Sequence, residues 1–96
     1  MSYQVKIAAG AAREISKLPE QISAQILEEI DKLAQNPRPP GVKKLDGVPD
    51  GYRIRKGVYR IVYAIEDDIL KIDVVTVGHR KEVYRNLAEK SKRRRK

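Results

Sequence analysis

The chain has 96 residues, 21 Lys+Arg against 13 Asp+Glu, and a formal net charge of +8. That length allows one thin-cored domain, and 41% hydrophobic beside 35% charged residues suits a globular domain with a wet surface. The absence of cysteine removes disulfides and thiolate zinc sites, and a single histidine leaves little else to hold a transition metal, so no cofactor is expected.

No run approaches the roughly 18 to 20 apolar residues of a membrane span. The segment Met1 to Lys6 lacks the basic-then-apolar pattern of a signal peptide. The expected location is therefore the cytoplasm, with no membrane partner.

In chain order, Tyr3 to Ile7 alternates apolar and polar and predicts a short strand. Ala8 to Leu18 is alanine-rich, with Ile15 and Leu18 three apart, and predicts a first helix. Pro19 stops it and suits the first turn of the next helix. From Glu20 to Gln35, Ile22, Ile26, Ile30 and Leu33 or Ala34 recur at helical spacing, and Asn36-Pro37 ends that second helix. Pro37 to Gly51 holds four of the five prolines and three of the six glycines and reads as a loop, with Lys43-Lys44-Leu45 a basic step inside it.

Tyr52 to Arg55 and Val58 to Ile65 are rich in Tyr, Ile and Val and flank Lys56-Gly57, a hairpin signal. Glu66-Asp67-Asp68 makes a second turn, and Ile69 to Val77 a last strand ending at Gly78. His79 to Glu89 reads as a short C-terminal helix and Lys90 to Lys96 as a basic, disordered tail. The expected domain spans residues 1–89, with 90–96 outside it. The order β-α-α-β-β-β plus the C-terminal helix is an α+β layout, two N-terminal helices packed on one face of a small antiparallel sheet.

Charge is unevenly placed. Residues 1–50 carry seven basic and seven acidic side chains, whereas residues 51–96 carry fourteen and six, the whole +8. A neutral half joined to a basic half suits either a surface for anions, nucleic acid above all, or a solvated basic face.

Taking Lys56-Gly57 as a two-residue turn pairs Arg55 with Val58, Ile54 with Tyr59, Arg53 with Arg60 and Tyr52 with Ile61. Strand alternation then puts Arg53, Arg55, Val58, Arg60 and Val62 on one face and Tyr59, Ile61, Tyr63 and Ile65 on the other. With Asp67-Asp68 as the second turn, Leu70, Ile72 and Val74 join the apolar face, and Val75 and Asp73 lie opposite Arg60 and Val62. Like charges across a strand pair repel, and such broken rules concentrate at functional sites. A phosphate among the guanidinium groups turns that repulsion into attraction; long side chains splayed into water, or neutralised by Asp73, are the structural alternative.

A second constellation follows the last strand: Gly78-His79-Arg80-Lys81-Glu82-Val83-Tyr84. A histidine beside an arginine can combine proton transfer with phosphate neutralisation, although a lone histidine is also an ordinary surface residue. The tail adds a salt-sensitive pull toward nucleic acid.

Lys44-Leu45, Gly51-Tyr52-Arg53-Ile54-Arg55, Tyr59-Arg60-Ile61-Val62-Tyr63 and Val77-Gly78-His79-Arg80 with Val83-Tyr84 follow one another in an order and spacing that resembles the RelE family of mRNA interferase toxins, within the RelE/ParE superfamily. The resemblance spans about residues 3 to 85. It implies the RelE-like fold and a ribosome-dependent, metal-independent cleavage of mRNA in the A site, in which the RNA's own 2′-OH attacks the adjacent phosphate.

Carried over residue by residue, Arg60 corresponds to the arginine that stabilises the transition-state phosphate. Arg80 corresponds to the arginine assigned to charge stabilisation or leaving-group protonation, and Tyr84 to the tyrosine near the reacting nucleotide. Arg53 and Arg55 stand where family members carry lysines and, with Lys43 and Lys44, are candidate RNA-binding residues. An arginine does not give up its proton, so the base is Tyr84 or His79, with Tyr84 favoured and His79 assisting, or else the cleft relies mainly on positioning the RNA.

The resemblance also implies an acidic RelB-like antitoxin that covers the toxin, the ribosome and mRNA as further partners, and operator DNA only through the antitoxin. Val58, Val62, Val75 and Val77, placed on the arginine face, are too apolar to be left bare; residues 81–90 or an antitoxin helix are expected to cover them. Two readings stand beside this one: a ParE-like toxin that inhibits gyrase, and a catalytically weak or inactive homologue that binds RNA or the antitoxin.

Overall fold

A computed structural model describes residues 2–79. The expected C-terminal helix and tail, with Arg80 and Tyr84, lie outside the described residues. Strand β1 (Gln4–Ile7) leads into α1 (Ala9–Ser16) and α2 (Glu20–Leu33), followed by β2 (Lys43–Lys44), β3 (Gly51–Lys56), β4 (Tyr59–Glu66) and β5 (Lys71–His79). One five-stranded sheet has the order β1-β5-β4-β3-β2. The pairs are antiparallel except β1 with β5, which run parallel because the helices carry the chain back across the sheet.

The helices pack by the stripes their sequences carry. Ala11 and Ile15 of α1 and Ile26, Ile30 and Leu33 of α2 are buried with Ile54, Ile61, Tyr63, Ile65, Ile72, Val74 and Val77 of the sheet. Pro19 sits at the N-cap of α2, one position before the first turn, and its carbonyl accepts from the Ile22 and Ser23 amides. No helix of the described residues is long and apolar enough to cross a membrane.

Two features shift the sheet from its expected register. The β3–β4 turn is Gly57-Val58, not Lys56-Gly57: Lys56 pairs with Tyr59, Arg55 with Arg60 and Arg53 with Val62. Gly57 has φ +62°, and a positive φ at the first central position is where a two-residue hairpin turn wants glycine. Moving the turn by one residue moves the register by two, so every side chain keeps its face.

The second feature is an irregularity in the β4–β5 ladder between Val62 and Tyr63, where Thr76 pairs with Val62 but Val74 with Tyr63. Val75 is the extra residue, and it reverses the alternation beyond it. Val77 therefore pairs with Ile61 and enters the core rather than the arginine face. Asp73 lies opposite Ala64, not Val62.

The second turn is a short 3₁₀ segment, Asp67–Ile69, closed by Leu70 at φ +50°. It anchors the loop that follows α2. Arg38 forms a two-pronged contact with the Asp67 carboxylate, at 2.9 Å and 3.2 Å, and lies over the Tyr52 ring at 5.0 Å. Tyr3 donates to the same carboxylate at 2.7 Å. The Arg38 guanidinium, then the Tyr3 hydroxyl, holds the Asp67 carboxyl below its ordinary range. Beneath this clasp the buried Tyr63 ring stacks on Tyr52 at 6.2 Å, and its hydroxyl donates to the Pro37 carbonyl at 2.7 Å. Burial pushes the Tyr63 phenol well above its ordinary value.

Candidate nucleic-acid interface

The sheet face away from the helices is built in two rows. Lys43, Arg53, Val62 and Thr76 lie side by side across β2, β3, β4 and β5. In the next row stand Arg55, Arg60 and Gly78. Residues directly opposite share a face, so Lys43, Arg53, Arg55 and Arg60 form one cationic group. Gly78 adds no side chain beside Arg60.

Backbone bonding shows how close the arginines are. Gly51 both donates to the Val48 carbonyl and accepts from the Leu45 amide, so its polar groups face away from β4. Alternation gives Arg53 and Arg55 the same orientation. The Arg55–Arg60 pair is therefore a non-hydrogen-bonded one, the kind with the closest side chains, with Cα atoms roughly 4.5 Å apart. The like-charge contact expected from the sequence exists, with Arg55 rather than Arg53 as the partner of Arg60.

Burial sharpens the conflict. Arg60 and Arg53 are only 6% and 8% exposed, while Arg55 reaches solvent. Among the described residues the ion pairs join Glu29 to Lys32 and Lys56, Arg38 to Asp67, and Lys71 to Asp73. Asp73, the carboxylate expected to neutralise the group, is held by Lys71 at 3.7 Å.

Not every expected residue joins it. Lys44 pairs with Tyr52, so of the two adjacent lysines only Lys43 shares the arginine face. His79 pairs with Tyr59, which packs against the core. The extra residue Val75 turns it to the helix side of the sheet, away from the arginines. Val62 is fully buried and Val58 is exposed at the hairpin tip.

Sequence reasoning missed Glu14 and Thr76. The buried Thr76 hydroxyl donates to the Glu14 carboxylate at 2.8 Å and 2.9 Å, and the Val77 amide donates to it at 3.3 Å. The paired part of β1 ends opposite Val74, so α1 satisfies the β5 edge just before Gly78. The only signal was a threonine within a run of valines.

At the opposite edge is a cleft of about 330 Å³, lined by Glu29, Pro39, Pro40, Gly41, Lys43, Arg53, Ile54 and Arg55. A turn makes it. The Val42 amide donates to the Pro39 carbonyl, and Gly41 has φ +89°. Proline then glycine at the two central positions is the type II pattern. It bends the chain away from β3 just where β2 would have paired with Arg55.

A profile of the family described as ParE toxin of type II toxin-antitoxin system, parDE, matches residues 5–84. The chain belongs to the RelE/ParE family of toxins. It is 40% identical over 97 residues to a RelE-like toxin protein of Escherichia coli, covering 97% of this chain and all of that one. With the mRNA interferase toxin RelE of Escherichia coli it shares 33% over 88 residues, 88% of this chain and 92% of the relative. The archaeal RelE in a RelE-RelB complex from Pyrococcus horikoshii superposes with a TM-score of 0.74 at 32% identity, covering 83% of this chain and 97% of that one. The RelE-like α+β fold is thus the fold of this chain.

Proposed function

We propose that this toxin is a ribosome-dependent, metal-independent endoribonuclease that cuts mRNA in the A site. The observation that carries the reading is the close Arg55–Arg60 pair beside Arg53 and Lys43, which gathers four cations on one face of the sheet. An RNA phosphodiester is the anion that suits it. Relatives named as mRNA interferases support the same reading.

In the proposed reaction the 2′-oxygen attacks the neighbouring phosphorus as its proton passes to a base. Negative charge builds on the non-bridging oxygens, and the bond to the 5′-oxygen breaks as that oxygen gains a proton. The products are a 2′,3′-cyclic phosphate and a 5′-hydroxyl. Arg60, nearly buried and therefore weakly screened, stabilises the crowded phosphate. Arg53, Arg55 and Lys43 hold the strand. None of the three arginines can be the base. With His79 turned away, proton abstraction falls to Tyr84, while Arg80 stabilises the charge on the leaving 5′-oxygen, which takes its proton from water.

The partner proposed is an acidic RelB-like antitoxin, as in the archaeal RelE-RelB complex. It competes with RNA for the cationic face and carries any contact to operator DNA. Primer extension on a defined message, with and without purified ribosomes, tests the reading. New 5′ ends within codons that need ribosomes support it. Undisturbed translation together with loss of gyrase supercoiling supports the ParE-type alternative, and RNA binding without new ends supports an inactive homologue.

A further inference from the structure

The cleft at the β3 edge lies beside the cationic face but is not used by the chemistry above. Its outer wall is the Pro39–Val42 turn, and its inner wall is the unpaired edge of β3. β2 pairs only with Tyr52 and Arg53, so the outward amide and carbonyl of Arg55 have no backbone partner among the described residues. Glu29 lines the same cleft from α2, and both of its lysine contacts, at 3.5 Å, fall on Oε1. At about 330 Å³ the space sits at the small end of the roughly 300–1,000 Å³ of small-molecule sites. Bounded on its outer side by the turn, it suits one planar group better than a continuous strand.

We propose that this cleft binds a single guanine nucleotide of the RNA. The Glu29 carboxylate accepts from the adjacent N1–H and N2–H donors, and the Arg55 amide donates to O6. Lys43, Arg53 and Arg55 hold its phosphate on the face they share. Only guanine offers two neighbouring donors beside an acceptor on its pairing edge, so the carboxylate gives selectivity and the cations give affinity. Glu29 is then the specificity-determining residue. The proposal rests on the RNA-cleavage reading insofar as the nucleotide neighbours the phosphate that is cut.

The test is titration of the full ¹⁵N-labelled chain with 5′-GMP, 5′-AMP, 5′-CMP, 5′-UMP and inorganic phosphate, read by amide shifts at Gly41 and Arg55. GMP is expected to move both amides and to bind at least about fivefold tighter than the other nucleotides, the scale of a two-pronged base contact. In Glu29→Gln that preference collapses while phosphate binding is unchanged; Glu29→Asp, which keeps the charge one methylene back, retains part of it.

A motionless Arg55 amide, or a guanine preference that survives Glu29→Gln, overturns the proposal. Protection of that amide by an acidic peptide but by no nucleotide makes the edge a strand-docking site and also overturns it. Ribosome-dependent cutting alongside a motionless Arg55 amide sinks the cleft alone. GMP in the cleft of a chain that cuts no message sinks the nuclease reading and leaves the nucleotide site.

Discussion

Replacing Arg55 by glutamate should make this protein more stable and much less active. Arg55 stands opposite Arg60 in a non-hydrogen-bonded pair, the kind that brings cross-strand side chains closest. Glutamate removes a like-charge contact and installs an opposite-charge one. Each cross-strand pair term is worth about 0.2–1 kcal/mol, and solvent around Arg55 screens the gain. The net is about 1 kcal/mol of added stability, or a melting temperature higher by about 4–8 °C for a domain of this size.

Arg55→Gln, which only removes the repulsion, should give about half of that. The gain should shrink in about 1 M salt, where the screening length is about 3 Å. Cleavage should fall by about 10²–10³, the loss typical of one misdirected charge contact to a transition state. Thermal unfolding of the three proteins by circular dichroism at low and high salt, beside a cleavage assay, measures both sides. An unchanged or lower melting temperature for Arg55→Glu would refute the idea that the face stores repulsion for a phosphate to relieve.

Other parts of the fold give independent checks. Gly41→Ala meets no atom within 4 Å but must adopt φ +89°, so it should cost about 1–2 kcal/mol through backbone strain alone, seen by urea denaturation. Thr76→Val keeps the shape but deprives the Glu14 carboxylate of its hydroxyl donor; a loss of about 1–3 kcal/mol is expected, and an unchanged urea midpoint would mean the contact carries no weight. Tyr63 has a folded-state pKa above its unfolded value, so its contribution is complete below about pH 10 and is lost as pH rises beyond that. Tyr63→Phe should therefore be less stable than the parent at neutral pH, and the gap should narrow in alkaline melts; a gap that widens would contradict the sign.

Much of this was legible from residue order, and the rest failed for identifiable reasons. The isoleucine spacing of α2 announces its buried stripe. The two faces of β3 and β4 were readable because shifting a two-residue turn by one position moves the register by two. The identity of Arg60's partner was not, since it depends on whether Gly57 is the first or second turn residue. The fate of Val77 and His79 was hidden by the extra residue Val75, which nothing in a run of valines marks. β2 escaped notice because two residues are too few for a pattern. The cleft needed the Pro40-Gly41 turn to be set against the particular length of β2, which only the folded sheet shows.

The most direct test of the central claim uses one message in two forms, all-ribose or with a single 2′-deoxyribose at the nucleotide whose 2′-oxygen would attack. Each is placed in the A site of purified ribosomes with the toxin and read by primer extension. The account predicts a new 5′ end within the codon of the ribose message and none in the deoxy message. Cutting of both, or of neither, would contradict it.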